Sequence, residues 1–261
     1  MTVMLGICSV SFRKHQPEDI LRAMQAAGLS CIEWGSDVHA PKDDITKLTQ
    51  LAALQKEYHI RCCSYGTYFR VGVTPAEELE GYIGAAQILG ADILRLWCGN
   101  KNAGDYTEEE AEQLFAECRR LAELARRHSV TLCMECHGGT YTNTKEAACR
   151  LMQAVDSQHF RMYWQPNQYK SAEENIAYAK LLSPYTLQLH VFNWKGSEKY
   201  PLQEAADTWK AYLNCFDGTQ TLLLEFMPDG RLETLKTEAA ALRELSNFLH
   251  YSCFGSIAVV Y

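Results

Sequence analysis

The sequence predicts one α/β domain spanning residues 1–261, a closed (β/α)₈ barrel of the kind called a TIM barrel. Short apolar runs typical of buried parallel strands alternate with helical patterns along the whole chain. Eight such units fit the 261 residues, because a barrel of this kind needs about 250. No Pro- or Gly-rich linker divides the sequence. The runner-up fold is a doubly wound open sheet, but no Gly-rich phosphate loop follows the first strand.

Turn and cap residues mark the units of the first half. The runs VMLGICSVS, SCIEWG, IRCCSYG and DILRLWCG predict the first four strands. The first helix should run from Pro17 to Ala27, because proline suits a first helical turn and Gly28 suits a stop. DDITKLTQLAALQKEYH predicts the second helix. We expect Thr74 to cap the start of the third helix and Gly90 to end it.

The second half repeats the pattern. TEEEAEQLFAECRRLAELARRH predicts a long fourth helix, with acids leading and bases trailing as the helix dipole favours. TLCMECHGG, RMYWQPNQ, LQLHVFNW and TLLLEFMPDG predict strands five to eight, and the helices between them begin near Thr144, Ser171 and Leu202. A last helix, RLETLKTEAAALRELSNFLH, follows. We expect the final YSCFGSIAVVY to pack on the barrel exterior or on a partner subunit, and a homo-oligomer is compatible with it.

Composition excludes several functional classes. Lys plus Arg total 25 and Asp plus Glu total 32, and the net charge of -7 argues against nucleic-acid binding. The N-terminus lacks the basic region of a signal peptide, and no apolar stretch approaches the roughly 20 residues of a membrane span. The odd count of 11 cysteines does not resemble a secreted disulfide framework. These features predict a cytoplasmic protein without a membrane anchor.

Four polar side chains end the last four predicted strands. Glu135, Gln165, His190 and Glu225 follow one another at intervals of 30, 25 and 35 residues, about one strand–helix unit each. Reactive residues of such barrels lie at the carboxyl ends of the strands, so these groups should meet at one mouth. A carboxylate near a barrel axis must be paired, hydrogen-bonded or metal-bound. Each residue alone could be structural, but together they favour a shared divalent-metal site.

The chain resembles the xylose isomerase-like barrels at these residues. The resemblance rests on E-x-H after strand five, His190 after strand seven, Glu225 after strand eight, and the segments IEWGSDVHAP and LRLWCG. This superfamily contains sugar-phosphate isomerases and epimerases, ketose 3-epimerases, inosose dehydratases and endonuclease IV nucleases. The resemblance implies an enzyme of carbohydrate metabolism that acts on a small sugar, polyol or sugar phosphate.

The resemblance also implies a ligand set for one divalent ion, Mn, Mg, Co or Zn. The ligands would be Glu135, Gln165, His190 and Glu225, where family members use Glu, Asp, His and Glu. Gln165 is a departure, because an amide oxygen ligates a cation without supplying negative charge. Gln168 stands where the family has a substrate-binding His, and Lys195 is the cation nearest to the position of an epimerase Arg.

The implied mechanism is proton transfer through an enediolate, with Glu135 and Glu225 as the catalytic pair. Strands five and eight lie three apart in a ring of eight, so the two carboxylates approach a bound sugar from different directions. One removes a proton and the other returns it, to the neighbouring carbon or to the opposite face. The first outcome is isomerisation and the second is epimerisation.

Other side chains follow strands two to five and are predicted to contact substrate, with wall packing as the alternative for the aromatic ones. They are Glu33, His39, Tyr65, Trp97 and His137, with Tyr68 and Arg70 close behind. We expect Arg95, on the inward face of strand four, to pair with Glu135 or Glu33.

Three alternatives stay open at this point. A dehydratase of the inosose type would use the same metal and base. A non-catalytic sugar-binding barrel that has lost its metal would explain Gln165. A nuclease of the endonuclease IV type would need a basic groove and several more ligands. The C-M-E-C sequence is not a zinc motif, because on a strand its two cysteines face opposite sides.

Overall fold

The computed structural model describes residues 3–254 and shows the predicted barrel. Eight parallel strands close into a ring in the order β1-β10-β7-β6-β5-β4-β3-β2, and the antiparallel hairpin β8–β9 stands apart from it. The strands are Leu5–Cys8 (β1), Cys31–Gly35 (β2), Arg61–Val71 (β3), Ile93–Cys98 (β4), Thr131–Glu135 (β5), Phe160–Trp164 (β6), Thr186–Val191 (β7), Trp194–Lys195 (β8), Glu198–Lys199 (β9) and Thr221–Leu224 (β10).

The helices surround the ring and follow the strands in turn. They are Pro17–Ala27 (α1), Ile45–Glu57 (α2), Leu79–Leu89 (α3), Glu108–Arg127 (α4), Lys145–Val155 (α5), Ala172–Leu182 (α6), Ala206–Leu213 (α7) and Leu235–Phe254 (α8). The predicted packing of the C-terminal segment 251–261 lies outside the residues whose side chains the structure describes.

Most predicted helix ends are confirmed. Gly28 ends α1 in the left-handed conformation, with φ at 69°. Thr144 and Ser171 cap α5 and α6 with their side chains, as their sequence positions predicted.

The prediction of Thr74 as a helix cap was wrong. Pro75 is extended and a 3-10 turn, Ala76–Glu78, precedes α3. The Thr74 hydroxyl instead accepts a hydrogen bond from the Arg70 backbone amide. A similar turn, Leu202–Ala205, precedes α7.

Two layers of packing hold the barrel. A large apolar cluster fills the space between the strands and the helices. A smaller one lies inside the ring, where Cys8, Cys31, Cys63 and Cys133 pack as small apolar groups with Tyr163 and Leu223. The strands approach closely at Gly6, where an added Cβ would lie 2.0 Å from the carbonyl oxygen of Cys31.

Two further findings concern the whole described chain. Every cysteine whose side chain the structure describes is free, and most are buried. No helix within residues 3–254 has both the length and the apolar character that crossing a bilayer requires.

Candidate active site at the barrel mouth

The carboxyl ends of the strands surround a cavity of about 360 Å³. Six residues that the sequence predicted for the site line it: Trp97, Glu135, His137, Gln165, Gln168 and Glu225. His190 lies at its floor and is fully buried. The cavity is large enough for a small polar ligand, and polar groups lie at its floor.

Three oxygens converge on one nitrogen of His190. Its Nδ1 atom lies 3.5 Å from Glu135 Oε1, 3.5 Å from Glu225 Oε2 and 3.1 Å from Gln165 Oε1. Donor atoms bound to one cation at about 2.0–2.2 Å lie roughly 3.0–3.5 Å apart in tetrahedral or octahedral geometry. The observed spacings match that range, so this donor set fits a divalent ion.

The orientation of the Gln165 amide is fixed from behind. Its Nε2 atom donates a hydrogen bond of 3.0 Å to the carbonyl oxygen of Cys136. Only the amide oxygen can then face His190, and this is the end that ligates a cation. The residue that departs from the family pattern is therefore arranged as a ligand.

The second oxygen of Glu135 is held by two donors. Arg95 Nη1 lies 2.6 Å and Trp97 Nε1 lies 2.5 Å from Oε2. Arg95 also donates through Nε to Glu33 Oε1 at 3.0 Å. The expected pairing of Arg95 is thus confirmed with both acids. The side chains of Glu33, Arg95 and Glu135 are each at most 4% exposed.

The surroundings of Glu135 and Glu225 shift the pKa values of these two carboxyl groups in opposite directions. Burial opposes ionisation of Glu135, but attraction to Arg95 together with the contacts to His190 and His137 outweighs it and holds the pKa well below its usual range. Burial raises the pKa of Glu225, and the neighbouring Glu135 charge adds to this. Burial likewise raises the pKa of Glu33, but Arg95, His190 and Tyr163 together outweigh it and lower the pKa to about 2.

The far side of the His190 ring faces the barrel interior. Within the described residues Nε2 has no hydrogen-bond partner, and Glu33 Oε1 lies 3.7 Å from it. Tyr163 packs against the ring with centroids 4.4 Å apart. The Cys8 thiol lies close by, and burial raises its pKa far above the usual range in the metal-free protein. These contacts orient the ring so that Nδ1 points to the mouth.

Sequence reasoning missed the turn that presents Glu225. Phe226 has a positive φ of 59°, which is unfavourable for a bulky residue and is found where structure over-determines it. Its amide donates to Ser11 Oγ at 2.7 Å, and its ring packs on Trp194 at 5.2 Å. No periodicity signals this turn, because it depends on contacts between the first and last strand–helix units.

Two predicted substrate residues point away from the mouth, which corrects their placement. His39 is buried, lies 3.2 Å from the His15 carbonyl oxygen through Nε2, and packs edge-on to Trp34. Tyr65 is buried on the outer face of its strand and donates to the carbonyl oxygen of Ala40 at 2.5 Å. His39 and Tyr65 thus bind the loops that contain His15 and Ala40, and neither lines the cavity.

Two more lie near the cavity without lining it. Glu33 lies below the floor, bound to Arg95. Lys195 is exposed on the hairpin, 4.8 Å from the centre of the Tyr200 ring, and lines a neighbouring depression. The order of the strands correctly predicted that Glu33 and Lys195 lie near the mouth. Their side chains point elsewhere, so neither lines the cavity.

The aromatic side chains of the mouth are partly engaged already. Trp97 is packed by the Arg70 guanidinium at 4.5 Å, by Tyr68 at 5.2 Å and by His137 at 5.5 Å. Arg13, the second cation of the lining, binds Asp37 Oδ2 at 2.5 Å and the Tyr68 hydroxyl at 2.6 Å. Trp97 thus donates a hydrogen bond to Glu135 and also forms part of the cavity wall.

Comparison with known proteins identifies the family. Residues 21–214 match the xylose isomerase-like TIM barrel, and the chain belongs to that family. A search of curated proteins finds no significant match.

Solved structures of similar fold include enzymes of several activities. The probable 3-DHS dehydratase AsbF of Bacillus anthracis shares 16% identity with a TM-score of 0.77, over 93% of this chain and 99% of that one. An L-ribulose 3-epimerase shares 13% identity with a TM-score of 0.74, over 100% of both chains. The IolI protein, solved with a zinc atom, shares 15% identity with a TM-score of 0.72, over 97% and 99%. At these identities the likeness defines the fold.

Proposed function

We propose that this protein is a metal-dependent isomerase or epimerase of a small sugar, polyol or sugar phosphate. The observation that carries the proposal is the convergence of Glu135, Gln165 and Glu225 on Nδ1 of His190 at spacings that suit one cation. This arrangement lies at the carboxyl ends of the barrel strands, where enzymes of this fold carry their chemistry.

Glu135, Gln165, His190 and Glu225 would hold the ion, which is Mn, Mg, Co or Zn. When bound, such an ion polarises a carbonyl and makes the neighbouring C–H more acidic. The site and the residues beneath it contain three carboxylates, Glu33, Glu135 and Glu225, and one guanidinium, Arg95. Negative groups outnumber positive ones, so the site favours a cation.

The residues of the cavity supply binding and proton transfer. Glu225 reaches the cavity with a side chain 13% exposed, next to the space where a ligand would lie. Its carboxylate is placed to take a proton from carbon and to return one. Trp97, His137 and Gln168 offer an aromatic face and polar groups to a polyol.

A dehydratase is the second candidate, and the state of Glu225 favours it. No hydrogen bond to its carboxylate is formed within the described part of the chain, so it is free to remove a proton next to a carbonyl and to protonate a leaving hydroxyl. The likeness to AsbF is consistent with this reaction. The non-catalytic barrel is disfavoured by the Cys136 contact that turns the oxygen of Gln165 toward the site.

Cellular setting and assembly are further parts of the proposal. The net charge of -7 supports a small-molecule carbohydrate substrate over a nucleic acid. A cytoplasmic location follows from the cysteine usage, because the described cysteines are free thiols. A homo-oligomer would be revealed by its mass in solution.

The test measures metal and turnover together. Protein purified without chelator should contain one divalent ion per chain, and the metal-loaded enzyme should convert a small ketose or polyol. Glu225→Gln should lower turnover by about 10²–10⁴-fold with the fold intact, whereas Glu244→Gln, an exposed control on α8, should leave turnover unchanged. NMR of the products separates isomer, epimer and dehydrated product. Wild-type turnover in Glu225→Gln, or protein without metal that added Mn²⁺, Mg²⁺, Co²⁺ and Zn²⁺ do not rescue, would refute the proposal.

A further inference from the structure

The two glutamates at the mouth differ in the lone pairs they leave free. A carboxylate oxygen has about two acceptor positions. On Oε2 of Glu135, Arg95 Nη1 and Trp97 Nε1 occupy both, at 2.6 and 2.5 Å. The remaining oxygen, Oε1, faces Nδ1 of His190 at 3.5 Å, on the side of the cation site. Glu135 therefore has one uncapped oxygen, Oε1, which faces the cation site, and no second free oxygen to take a proton from substrate.

Arg95 and Trp97, which together form a cap on Oε2 of Glu135, are themselves held in place by other residues. Arg95 is 4% exposed and is held at its other end by Glu33, which is also buried. Moving the guanidinium would leave a buried carboxylate without a counter-charge, which is strongly destabilising. Trp97 is fixed by the Arg70 guanidinium on its face. The cap is thus part of the rigid barrel.

Glu225 shows the opposite arrangement. Within residues 3–254 no donor binds its carboxylate, whose nearest nitrogen is Nδ1 of His190 at 3.5 Å from Oε2. It lines the cavity directly. One oxygen can contact the cation while the other is open to a ligand.

We infer that Glu225 alone carries protons in the proposed reaction and that Arg95 and Trp97 act as positioning residues that restrict Glu135 to binding metal. This inference rests on the proposed function and deepens it. A single carboxylate serves one face of the substrate, so it supports 1,2-isomerisation or loss of water but not inversion at a carbon, which needs a donor on the opposite face.

Each step balances with one proton carrier. Glu225 takes the proton from the carbon next to the carbonyl, and the C–H electron pair forms the C=C bond of an enediolate. In isomerisation Glu225 returns the proton to the former carbonyl carbon, and the hydroxyl proton passes between the two oxygens. In dehydration the oxyanion of the enediolate reforms the C=O bond, and the former C=C pair forms a new C=C bond to the β-carbon. The β-hydroxyl leaves with its C–O electron pair, and the proton on Glu225 converts it to water.

The first test needs no substrate. Protein labelled with ¹⁵N-tryptophan is titrated with Mg²⁺ or Zn²⁺, and the Trp97 indole signal is assigned with Trp97→Phe. The Trp97 N–H signal should stay downfield and protected from solvent exchange at saturation. Trp209, whose indole donates to the Phe192 carbonyl oxygen at 2.7 Å, is the control. Movement of the Trp97 signal to the position of an unbonded indole would mean that the cap opens, and would overturn the inference.

The second test follows stereochemistry. Mn²⁺-loaded enzyme is incubated in D₂O with the neutral ketoses L-ribulose, D-psicose and D-fructose, and the products are analysed by NMR. We expect either an aldose with carbon 3 unchanged or a product that has lost one molecule of water, and a loss of about 10²–10⁴-fold in Glu225→Gln. A carbon-3 epimer that carries solvent deuterium would overturn the inference and leave the proposed function standing. Absence of any exchange by metal-loaded protein would overturn both.

Discussion

The amide oxygen of Gln165 lies 3.1 Å from Nδ1 of His190, while the amide nitrogen is bound to the Cys136 carbonyl. An uncharged side chain thus occupies the place of an acidic ligand in the orientation that ligation requires. A departure from the family pattern is thus compatible with the proposed metal site, because the oxygen faces the other donors and only one negative charge is lost.

Gln165→Glu should strengthen metal binding. The substitution keeps the length of the side chain and puts negative charge on the oxygen that already faces the cation, and charge count tunes affinity at such sites. We expect the Kd for Mn²⁺ to fall by about tenfold or more, equivalent to about 1.4 kcal/mol. Isothermal titration calorimetry measures it, with Gln113→Glu on the exposed face of α4 as the control. A Kd for Mn²⁺ that is unchanged in both Gln165→Glu and Gln165→Leu would show that Gln165 is not a ligand.

Gly66→Ala should destabilise the fold through the ion pairs under the site. A Cβ at this position would lie 2.6 Å from Glu33 Oε1 and 2.9 Å from the Arg95 guanidinium. The buried pair would have to move, at a cost of about 1–3 kcal/mol. Gly84→Ala is the matched control, because nothing lies within 4 Å of its added Cβ and alanine favours the helix. Denaturant unfolding should show opposite signs for the two variants, and equal stabilities would contradict the packing described.

Acid should destabilise the metal-free protein partly through Glu33. Burial raises the folded pKa of Glu33, but Arg95, His190 and Tyr163 together lower it from 4.5 to about 2. A depressed carboxyl pKa stabilises the fold above the unfolded value, and this contribution is lost as the pH falls from about 4.5 to about 2. It amounts to roughly 3 kcal/mol. Unfolding free energies measured in EDTA should therefore fall less steeply over this range in Glu33→Gln, and a slope equal to that of the wild type would contradict the assignment.

Gln55→Leu should destabilise the packing of α2 on the barrel. Gln55 accepts a hydrogen bond from the Trp34 indole at 2.8 Å and donates one to the Leu89 carbonyl oxygen at 2.9 Å, all in the buried interior. Leucine leaves the indole N–H unsatisfied, which costs about 1–3 kcal/mol, or a fall in Tm of roughly 2–4 °C per kcal/mol. Gln113→Leu makes the same change on an exposed helix face and should have little effect. A thermal melt in which both variants match the wild type would refute this.

Much of the architecture could be predicted because it depends on local patterns. The limits of α1, the caps Thr144 and Ser171, and the eight barrel strands follow from apolar periodicity and from residues that act on their own backbone. The 3-10 turn before α3 was missed, because Thr74 bonds to Arg70 and not to a helix end. His39 and Tyr65 were assigned to the mouth because strand order gives a region and not a side-chain direction.

By itself the sequence determined the barrel and the four donors at its mouth, since parallel strands of regular spacing bring their carboxyl ends to one edge. Tertiary structure alone decided how those donors differ. Arg95 and Glu135 are 40 positions apart, and Trp97 lies 38 positions from Glu135. Such hydrogen bonds depend on ångström-scale placement across neighbouring strands, which no pattern along the chain encodes. The chemistry assigned to each glutamate is a property of that placement.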